Sequence, residues 1–411
     1  MNLVSIIIRL AIFMLVLFLI DLYAFQAIKT AFRQASAARW VYWLFSGLVY
    51  AALLYMFFVF DRNKGPHNLY FQYVMALTIL SMVPKLIIVM GMLGEDVFRI
   101  GEGTVKKLSG SEERFMPGRR RFVSQAALVL AAIPFAGIIH GVLKGRYNYR
   151  VVRRTLAFDS LPAEFDGLQI TQISDIHSGS FDNRDKIRYG IDLINEQGSD
   201  LILFTGDLVN NRADEMRPWI SEFSRLEAPM GKYSILGNHD YGDYVNWESA
   251  EAKQQNMQEL FAIHKQLGFR LMRNENARIE RNGAAIDLVG VENWGHGFVQ
   301  HGDLDKAVAG LAEDSFKILM SHDPSHFDKV VKQFRQFIHL TLSGHTHGMQ
   351  FGIEIPGFFK WSPVKYRYPK WAGLYEELGR YLYVNRGFGY LAFPGRVGIW
   401  PEITVLTLRK A

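Results

Sequence analysis

A chain of 411 residues with a formal charge of +6 and no cysteine has room for two or three domains, and it excludes disulfides, thiolate metal sites and a cysteine nucleophile. The modest charge gives no reason to expect nucleic acid as a partner, and a mean hydropathy near zero conceals two unlike halves.

The first half is apolar. Leu3 to Ile28, Trp40 to Phe60, Leu69 to Phe98 and Phe122 to Leu143 each hold enough apolar residues to cross about 30 Å of hydrocarbon as a helix. Residues 1–145 therefore read as a membrane domain of four transmembrane helices. A soluble bundle is disfavoured because Ile12 to Leu19 is apolar on all sides. Trp40, Tyr42, Trp43 and Tyr70 lie near the ends, as an aromatic belt requires. Arg9, Asp21, Lys85 and His140 fall inside the spans, where a charge costs about 2.5–3.5 kcal/mol at the bilayer centre. They are expected to face the bundle interior, and charges that snorkel or pair structurally are favoured over a transport path. Pro84 and Pro134 predict kinks rather than ends.

Basic residues set the orientation. The first connection carries Lys29, Arg33 and Arg39, and the third carries Arg99, Lys106, Lys107, Arg114, Arg119, Arg120 and Arg121, against Arg62 and Lys64 in the second. Connections one and three are thus expected in the cytoplasm, and the rest of the chain beyond the fourth span outside it. Lys144, Arg146, Arg150, Arg153 and Arg154 weigh against this count. Gly118-Arg119-Arg120-Arg121-Phe122-Val123 before an apolar span resembles a twin-arginine export signal, and reads equally well as a basic cytoplasmic flank; both agree on orientation.

Residues 146–411 read as a second domain in which strands alternate with helices. Leu168 to Ser174 alternates like a half-buried strand and delivers Asp175 and His177. Asp200 to Thr205 is a continuous apolar run ending in Gly206-Asp207, and Tyr233 to Leu236 runs into Gly237-Asn238-His239-Asp240. Phe316 to Met320 ends in Ser321-His322, and Leu340 to Ser343 ends in Gly344-His345-Thr346-His347-Gly348. Taken singly, each Asp or His after a strand could be a turn former or a helix cap. Five strands with five such endings point jointly to metal ligands. Ile187, Ile191 and Ile194 recur at helical spacing, while Ala277 to Arg281, Ala284 to Val291, Tyr381 to Asn385 and Pro401 to Leu408 alternate as further strands.

The ordered set Asp-x-His, Gly-Asp, Gly-Asn-His-Asp, a lone His and Gly-His-x-His, over roughly residues 168 to 350, resembles the calcineurin-like metallophosphoesterase family. The resemblance implies an α/β fold, a four-layer metallophosphoesterase sandwich of two mixed β-sheets flanked by helices, here preceded by the α-helical transmembrane bundle. It implies two divalent ions: Asp175, His177 and His347 on the first, Asn238, His322 and His345 on the second, and Asp207 bridging them. A bridging aspartate shares a full negative charge between two cations, which a neutral asparagine lacks. The mixed nitrogen and oxygen set favours Mn, Fe or Zn over Mg or Ca. By the same resemblance His239 is the acid near the leaving group, beside the second metal, and Asp240 orients its ring.

Two ions about 3.5–4 Å apart acidify a bridging water and hold the attacking and leaving oxygens of an in-line displacement. The expected activity is therefore that of a metal-dependent phosphoric ester hydrolase acting on a phosphomonoester, phosphodiester or diphosphate linkage. Candidates for substrate contact are Asn183, Arg184, Asn293, Trp294, His296, Arg386 and Arg396. Phe358 to Tyr383, dense in aromatic and basic residues, reads equally as a lip meeting lipid headgroups or as an aromatic plug closing the sandwich. Membrane tethering tips the balance to a lipid-linked phosphoester. Relatives that cleave the diphosphate of a lipid A precursor commonly have Arg where this chain has His239, which disfavours that one substrate. The competing class is a non-enzymatic membrane transport or scaffold protein with a metal-binding, esterase-like domain; an intact ligand set argues against it.

Overall fold

The computed structural model describes residues 3–59, 69–109, 117–355 and 357–411. Phe60, Arg62, Lys64 and Arg114, used above to place spans and connections, lie outside the described residues. The chain divides into two compact units, one holding the helices up to His140 and the other Gly141–Ala411.

The first unit is built from α1 (Leu3–Ala31), α2 (Ser36–Val59), α3 (Leu69–Ser109) and α4 (Pro117–Leu143). All four are long and apolar enough to cross a membrane. Pro84 and Pro134 sit inside continuous helices. At 1.5 Å per residue α3 is about 60 Å long, roughly twice the hydrocarbon thickness. It outruns the predicted end at Phe98, and beyond it Glu102 pairs with Lys106 at 2.5 Å and with Arg119 of α4, while Glu95 and Asp96 just before it pair with Arg119 and Arg120. The two arginines of the export-signal resemblance are thus engaged within the folded unit.

Of the four charges placed inside spans, Asp21 and Lys85 face inward as expected. They pair at 2.5 Å, and Lys85 also donates to Ser46 and Ser81, while Tyr42 and Tyr50 donate to Asp21. Arg9 and His140 are instead exposed. Each lies within about two or three turns of a helix end, close enough for a long or amphipathic side chain to reach the interface.

The second unit is a sandwich. Its first sheet runs in the order β1 (Arg150–Phe158), β14 (Glu402–Lys410), β2 (Gln169–Ile173), β3 (Leu201–Phe204), β4 (Lys232–Ser234), β5 (Arg270–Leu271). The second runs β12 (Gly373–Glu377), β13 (Arg380–Val384), β9 (Leu340–Ser343), β8 (Lys317–Met320), β7 (Ala284–Gly290), β6 (Glu275–Arg281). Both are mixed: β2 to β5 are parallel and β14 meets β2 antiparallel, while β13, β9, β8 and β7 are parallel with antiparallel β12 and β6 at the edges. A separate two-stranded ribbon pairs β10 (Ile353–Ile355) with β11 (Phe359–Trp361).

Period-two alternation builds the layers. Leu201 and Leu203 of β3 point into the core between the sheets, where they share a cluster with Ile318, Met320, Leu340 and Leu342. Ile202 and Phe204 point the other way, onto α5 (Arg184–Asn195) through Ile187, Ile191 and Ile194 and onto α7 (Ala250–Gln266) through Leu260 and Ile263; the short α6 (Ile220–Phe223) closes the same face. On the far side Leu319, Leu382 and Val384 pack under α8 (Leu304–Ala307) and α9 (Ser325–Lys329). The result is the expected helix, sheet, sheet, helix sandwich.

Strands β1, β5, β10, β11 and β12 were not legible. β1 begins at Arg150, inside the basic run that reads as a membrane flank, and pairs parallel with β14 along its whole length. Its arginines are exposed on a sheet edge, a placement that discourages pairing with other chains.

Candidate metal centre

All five predicted ligand loops leave the carboxyl ends of parallel strands, β2, β3 and β4 from one sheet and β8 and β9 from the other. The two sheets thereby aim their loops at one place, the usual position for a site in such a fold. The backbone there is strained: Asp175, His177, Asp207, His345 and His347 take positive φ of 52°, 49°, 61°, 70° and 50°. Such conformations cost about 1–3 kcal/mol each and persist where the surroundings over-determine them, typically at functional sites. Two motif glycines are dictated by close approach. A Cβ on Gly344 would lie 1.9 Å from Ser174 Oγ and 2.3 Å from Asp175 Oδ2, and one on Gly237 would lie 2.2 Å from Asp207 Oδ1.

The structure brings the seven predicted ligands together in two adjoining groups. Asp175, His177 and His347 form one, and Asp207, His322 and His345 the other, each with ligand atoms within 4.8 Å of one another. Asn238 joins the second, its Oδ1 2.8 Å from His345 Nδ1. Asp207 lies between the groups, with Oδ2 3.5 Å from His177 Nε2 and 3.1 Å from His322 Nε2. Backbone N–H groups fix the carboxylates: His345 N donates to both oxygens of Asp175 at 2.9 and 3.0 Å, and His239 N to Asp207 Oδ1 at 2.9 Å.

The hydrogen bonds on the outer side of each ring decide which nitrogen is bare. Asn210 donates its Nδ2 to Ser180, so its Oδ1 accepts from His177 Nδ1 at 3.1 Å. His322 Nδ1 donates to the Thr205 carbonyl at 2.7 Å. Asn238 donates its Nδ2 to Tyr244, so its Oδ1 accepts from His345 Nδ1 at 2.8 Å, and His345 Nε2 lies 2.9 Å from the Tyr368 hydroxyl, which also reaches Asp323. His347 differs. Arg396 can only donate, and its Nη2 lies 3.2 Å from His347 Nδ1. For His347 Nε2 to take a metal, the ring proton must move to Nδ1 and Arg396 must relax onto the Gly387 and Gly389 carbonyls it already holds.

These residues fit a pair of divalent cations. The Nε2 atoms of His177, His322 and His347 are buried without a hydrogen bond, each beside a carboxylate oxygen. Burial keeps the His177 and His345 rings below their ordinary range, hence neutral and able to ligate. Burial would also lower His322, but Asp207 and Asp175 raise it to about 10. Asp175 is held below the carboxylate range, where burial opposes and the His347 ring favours its charge. Two buried carboxylates thus recruit positive charge, and a proton on His322 takes the place that a cation would fill.

The catalytic pair needs correction. Asp240 does not reach the His239 ring. Its carboxylate accepts four backbone N–H bonds, from Gly237 at 2.8 Å, Asp207 at 2.9 Å, Leu208 at 2.8 Å and Val209 at 3.3 Å, and so ties the loop after β3 to the loop after β4. His239 Nδ1 donates instead to the Asn210 carbonyl at 2.8 Å, and its ring stands 4.9 Å from that of His177 and 4.5 Å from that of Tyr244. His239 therefore lies against a ligand of the first group rather than beside the second alone.

Several expected substrate contacts are structural. Asn183 caps α5, and Arg184 pairs with Glu222 at 3.2 Å. Arg386 is buried between Glu402 and Glu354. Asn293 is buried and donates to the Val299 carbonyl, and Trp294 stacks on His326. Arg396 is fully buried, bound to backbone carbonyls and to His347. Of that set His296 lines an open cleft of about 320 Å³ with Arg367, Tyr368 and Lys370, while Asn293 lines the cleft at Asn238 and Arg386 one of about 620 Å³. A second cleft, of about 370 Å³, opens at Asn238 and is lined by Tyr241, Tyr244 and Phe298. Asn210, Tyr368 and Asp323 are positioning residues that sequence reasoning did not assign to the site, while Arg396, expected to contact substrate, lies against His347 instead.

Residues 4–146 match the family described as probable calcineurin-like phosphoesterase, transmembrane domain, and residues 168–349 match calcineurin-like phosphoesterase. A transmembrane protein with metallophosphoesterase domain from Danio rerio is 28% identical over 383 residues, which cover 90% of this chain and 79% of the relative. The uncharacterized metallophosphoesterase YkuE of Bacillus subtilis is 32% identical over 263 residues, 62% of this chain and 84% of the relative. An uncharacterized metallophosphoesterase of Helicobacter pylori is 25% identical over 404 residues, 96% of this chain and 97% of the relative.

Proposed function

The chain belongs to the calcineurin-like phosphoesterase family, and on that premise we propose that it is a membrane-anchored two-metal phosphoesterase acting on a lipid-linked phosphomonoester, phosphodiester or diphosphate. A membrane domain, 1–145, carries the phosphoesterase domain, 146–411. The observation that carries this reading is the pair of buried ligand groups meeting at Asp207, with ring nitrogens bare on the inner side and hydrogen-bonded on the outer. Mn, Fe or Zn suits the mixed donor set. Bound there, such ions supply Lewis acidity and acidify a water.

The chain's own residues do the rest. Asn210 and Thr205 hold the His177 and His322 rings in the tautomer that presents Nε2 to the site. Asp240 keeps two ligand loops in register. His239, whose Nδ1 donates to the Asn210 carbonyl, is the residue assigned to protonate the leaving oxygen. Arg367, His296 and Lys370 line a cleft next to Tyr368, where they can meet the non-reacting phosphate oxygens or a neighbouring anionic group.

The test is hydrolysis of p-nitrophenyl phosphate and bis-p-nitrophenyl phosphate by the purified full chain. Stripping with a chelator is expected to abolish turnover, and Mn to restore it. Absence of hydrolysis of either ester at full metal occupancy would return the balance to a non-enzymatic transport or scaffold role.

The same reading places residues 150–411 outside the cytoplasm, motivated by the excess of Lys and Arg in the first and third connections. Alkaline phosphatase fused after Ala411 is expected to be active and a cytoplasm-only fluorescent reporter at that point dark; the reverse pattern would overturn the orientation.

A further inference from the structure

The ribbon of β10 and β11 is amphipathic with its faces reversed. Its register sets Ile353 opposite Trp361 and Ile355 opposite Phe359, so these four share one face, while Glu354 opposite Lys360 occupies the other. The polar face turns toward the sandwich. Glu354 pairs with the buried Arg386 at 2.5 Å, and Lys360 donates to the Ala372 carbonyl at 2.5 Å and lies over the rings of Tyr375 and Trp371. The apolar face is left outside: Ile353 is 56% exposed, Ile355 52%, Phe359 48%, and Phe358 beside them 86%. Isolated exposed apolar residues are ordinary, but a contiguous apolar face with its charges turned inward marks a surface that something apolar covers. The aromatic stretch is therefore two things at once: Tyr368 and Trp371 plug the sandwich, and Phe358, Phe359 and Tyr366 project from it.

Three further observations point to lipid. First, the base of the ribbon is bonded to the segment that meets the chain as it leaves α4. Gly352 N donates to the Val397 carbonyl at 2.9 Å and Val397 N to the Gln350 carbonyl at 2.7 Å, while Arg396 N donates to the Gly141 carbonyl at 3.2 Å. Second, a cleft of about 620 Å³ runs from Glu354 and Gly357 of this hairpin to Arg150, Arg153 and Arg154 of β1, with Trp400 in its wall. Exposed arginines beside an apolar edge complement anionic headgroups above acyl chains. Third, Lys365 and Tyr366, exposed just after the ribbon, add the basic and aromatic pairing that suits the interface.

We propose that the outward face of the ribbon, Ile353, Ile355, Phe358 and Phe359, docks in the headgroup region of an anionic bilayer, with Arg150, Arg153 and Arg154 on lipid phosphates. The ribbon follows directly on the His345–His347 loop, so docking would hold the ligand loops at the membrane surface. The inference rests on the chain crossing a membrane and stands or falls independently of catalysis.

The absence of cysteine permits unique labelling. Full-length Ile355→Cys, Phe358→Cys and, as a control, Glu280→Cys, an exposed residue on the sheet-edge strand β6, would each carry an environment-sensitive fluorophore. Each is reconstituted into vesicles of phosphatidylcholine and phosphatidylglycerol containing a lipid with a spin label near its headgroup. Docking about 5–10 Å into the interface is expected to quench the 355 and 358 probes at least about two-fold more than the 280 probe and to shield them from aqueous iodide. Quenching equal to the control would overturn the proposal. Shielding from iodide without lipid quenching would also overturn it, by showing a protein on that face. Phosphoesterase activity measured on the same preparations reports separately on the proposed function.

Discussion

Asp207→Asn is expected to leave a folded protein that holds at most one metal ion per chain and turns over phosphoesters on the order of 10³-fold more slowly. The magnitude follows from several kcal/mol of lost charge stabilisation at about 1.4 kcal/mol per factor of ten. Asp207 Oδ2 faces His177 Nε2 at 3.5 Å and His322 Nε2 at 3.1 Å, so the substitution removes the one negative charge common to both groups. The fold has reason to survive. An asparagine can still accept the His239 N–H through its oxygen, and its amide can donate toward the bare ring nitrogens on the other side. Elemental analysis together with circular dichroism checks the result. Two metals per chain in the variant would contradict the bridging role, and loss of secondary structure would show the substitution to be uninformative about it, in which case Asp207→Glu, which keeps the charge and lengthens the side chain, becomes the deciding variant.

His239→Ala is expected to slow hydrolysis of an alkyl or sugar phosphoester by roughly 10²–10⁴-fold while leaving p-nitrophenyl ester hydrolysis far less affected. An alkoxide leaving group needs a proton as its bond breaks, whereas p-nitrophenolate leaves with its charge already delocalised. Burial holds the His239 ring below its ordinary range, against the raising effect of Asp207 and the Asn210 carbonyl. Equal loss on both substrates at full metal occupancy would rule the role out. Asp240→Asn serves as the contrast. Because Asp240 binds the N–H groups of Gly237, Asp207, Leu208 and Val209, its loss is expected to impair both substrates and metal content together, without the leaving-group signature.

The candidate metal-binding residues were legible as strand endings because each is encoded locally. A run such as Leu201 to Phe204 declares a strand by its own side chains, and the Gly-Asp that follows needs nothing distant to be read as a loop at the strand end. The transmembrane helices were legible for the same reason, since about twenty apolar residues specify a span wherever they occur. The pairing of Asp21 with Lys85 followed from the cost of leaving either alone in an apolar bundle, whereas Arg9 and His140 escaped that logic by lying nearer helix ends.

Tertiary structure decided everything that depends on which way a side chain turns and on what distant segment meets it. His239 and Asp240 are neighbours in sequence, but they occupy a 3₁₀ turn in which successive residues point about 120° apart, so one ring meets Asn210 and the other carboxylate meets the loop after β3. Tyr368 reaches His345 across twenty-three positions, and Arg396 reaches His347 across forty-nine. The edge strand β1 became a strand only when β14, more than two hundred residues later, offered it hydrogen bonds. Alternation in Ile353, Glu354, Ile355 fixed two faces of the ribbon, and the ion pair to Arg386 chose which of them turned inward. Local pattern sets what a segment can be, and the contacts that select its orientation form only when the whole chain has closed around it.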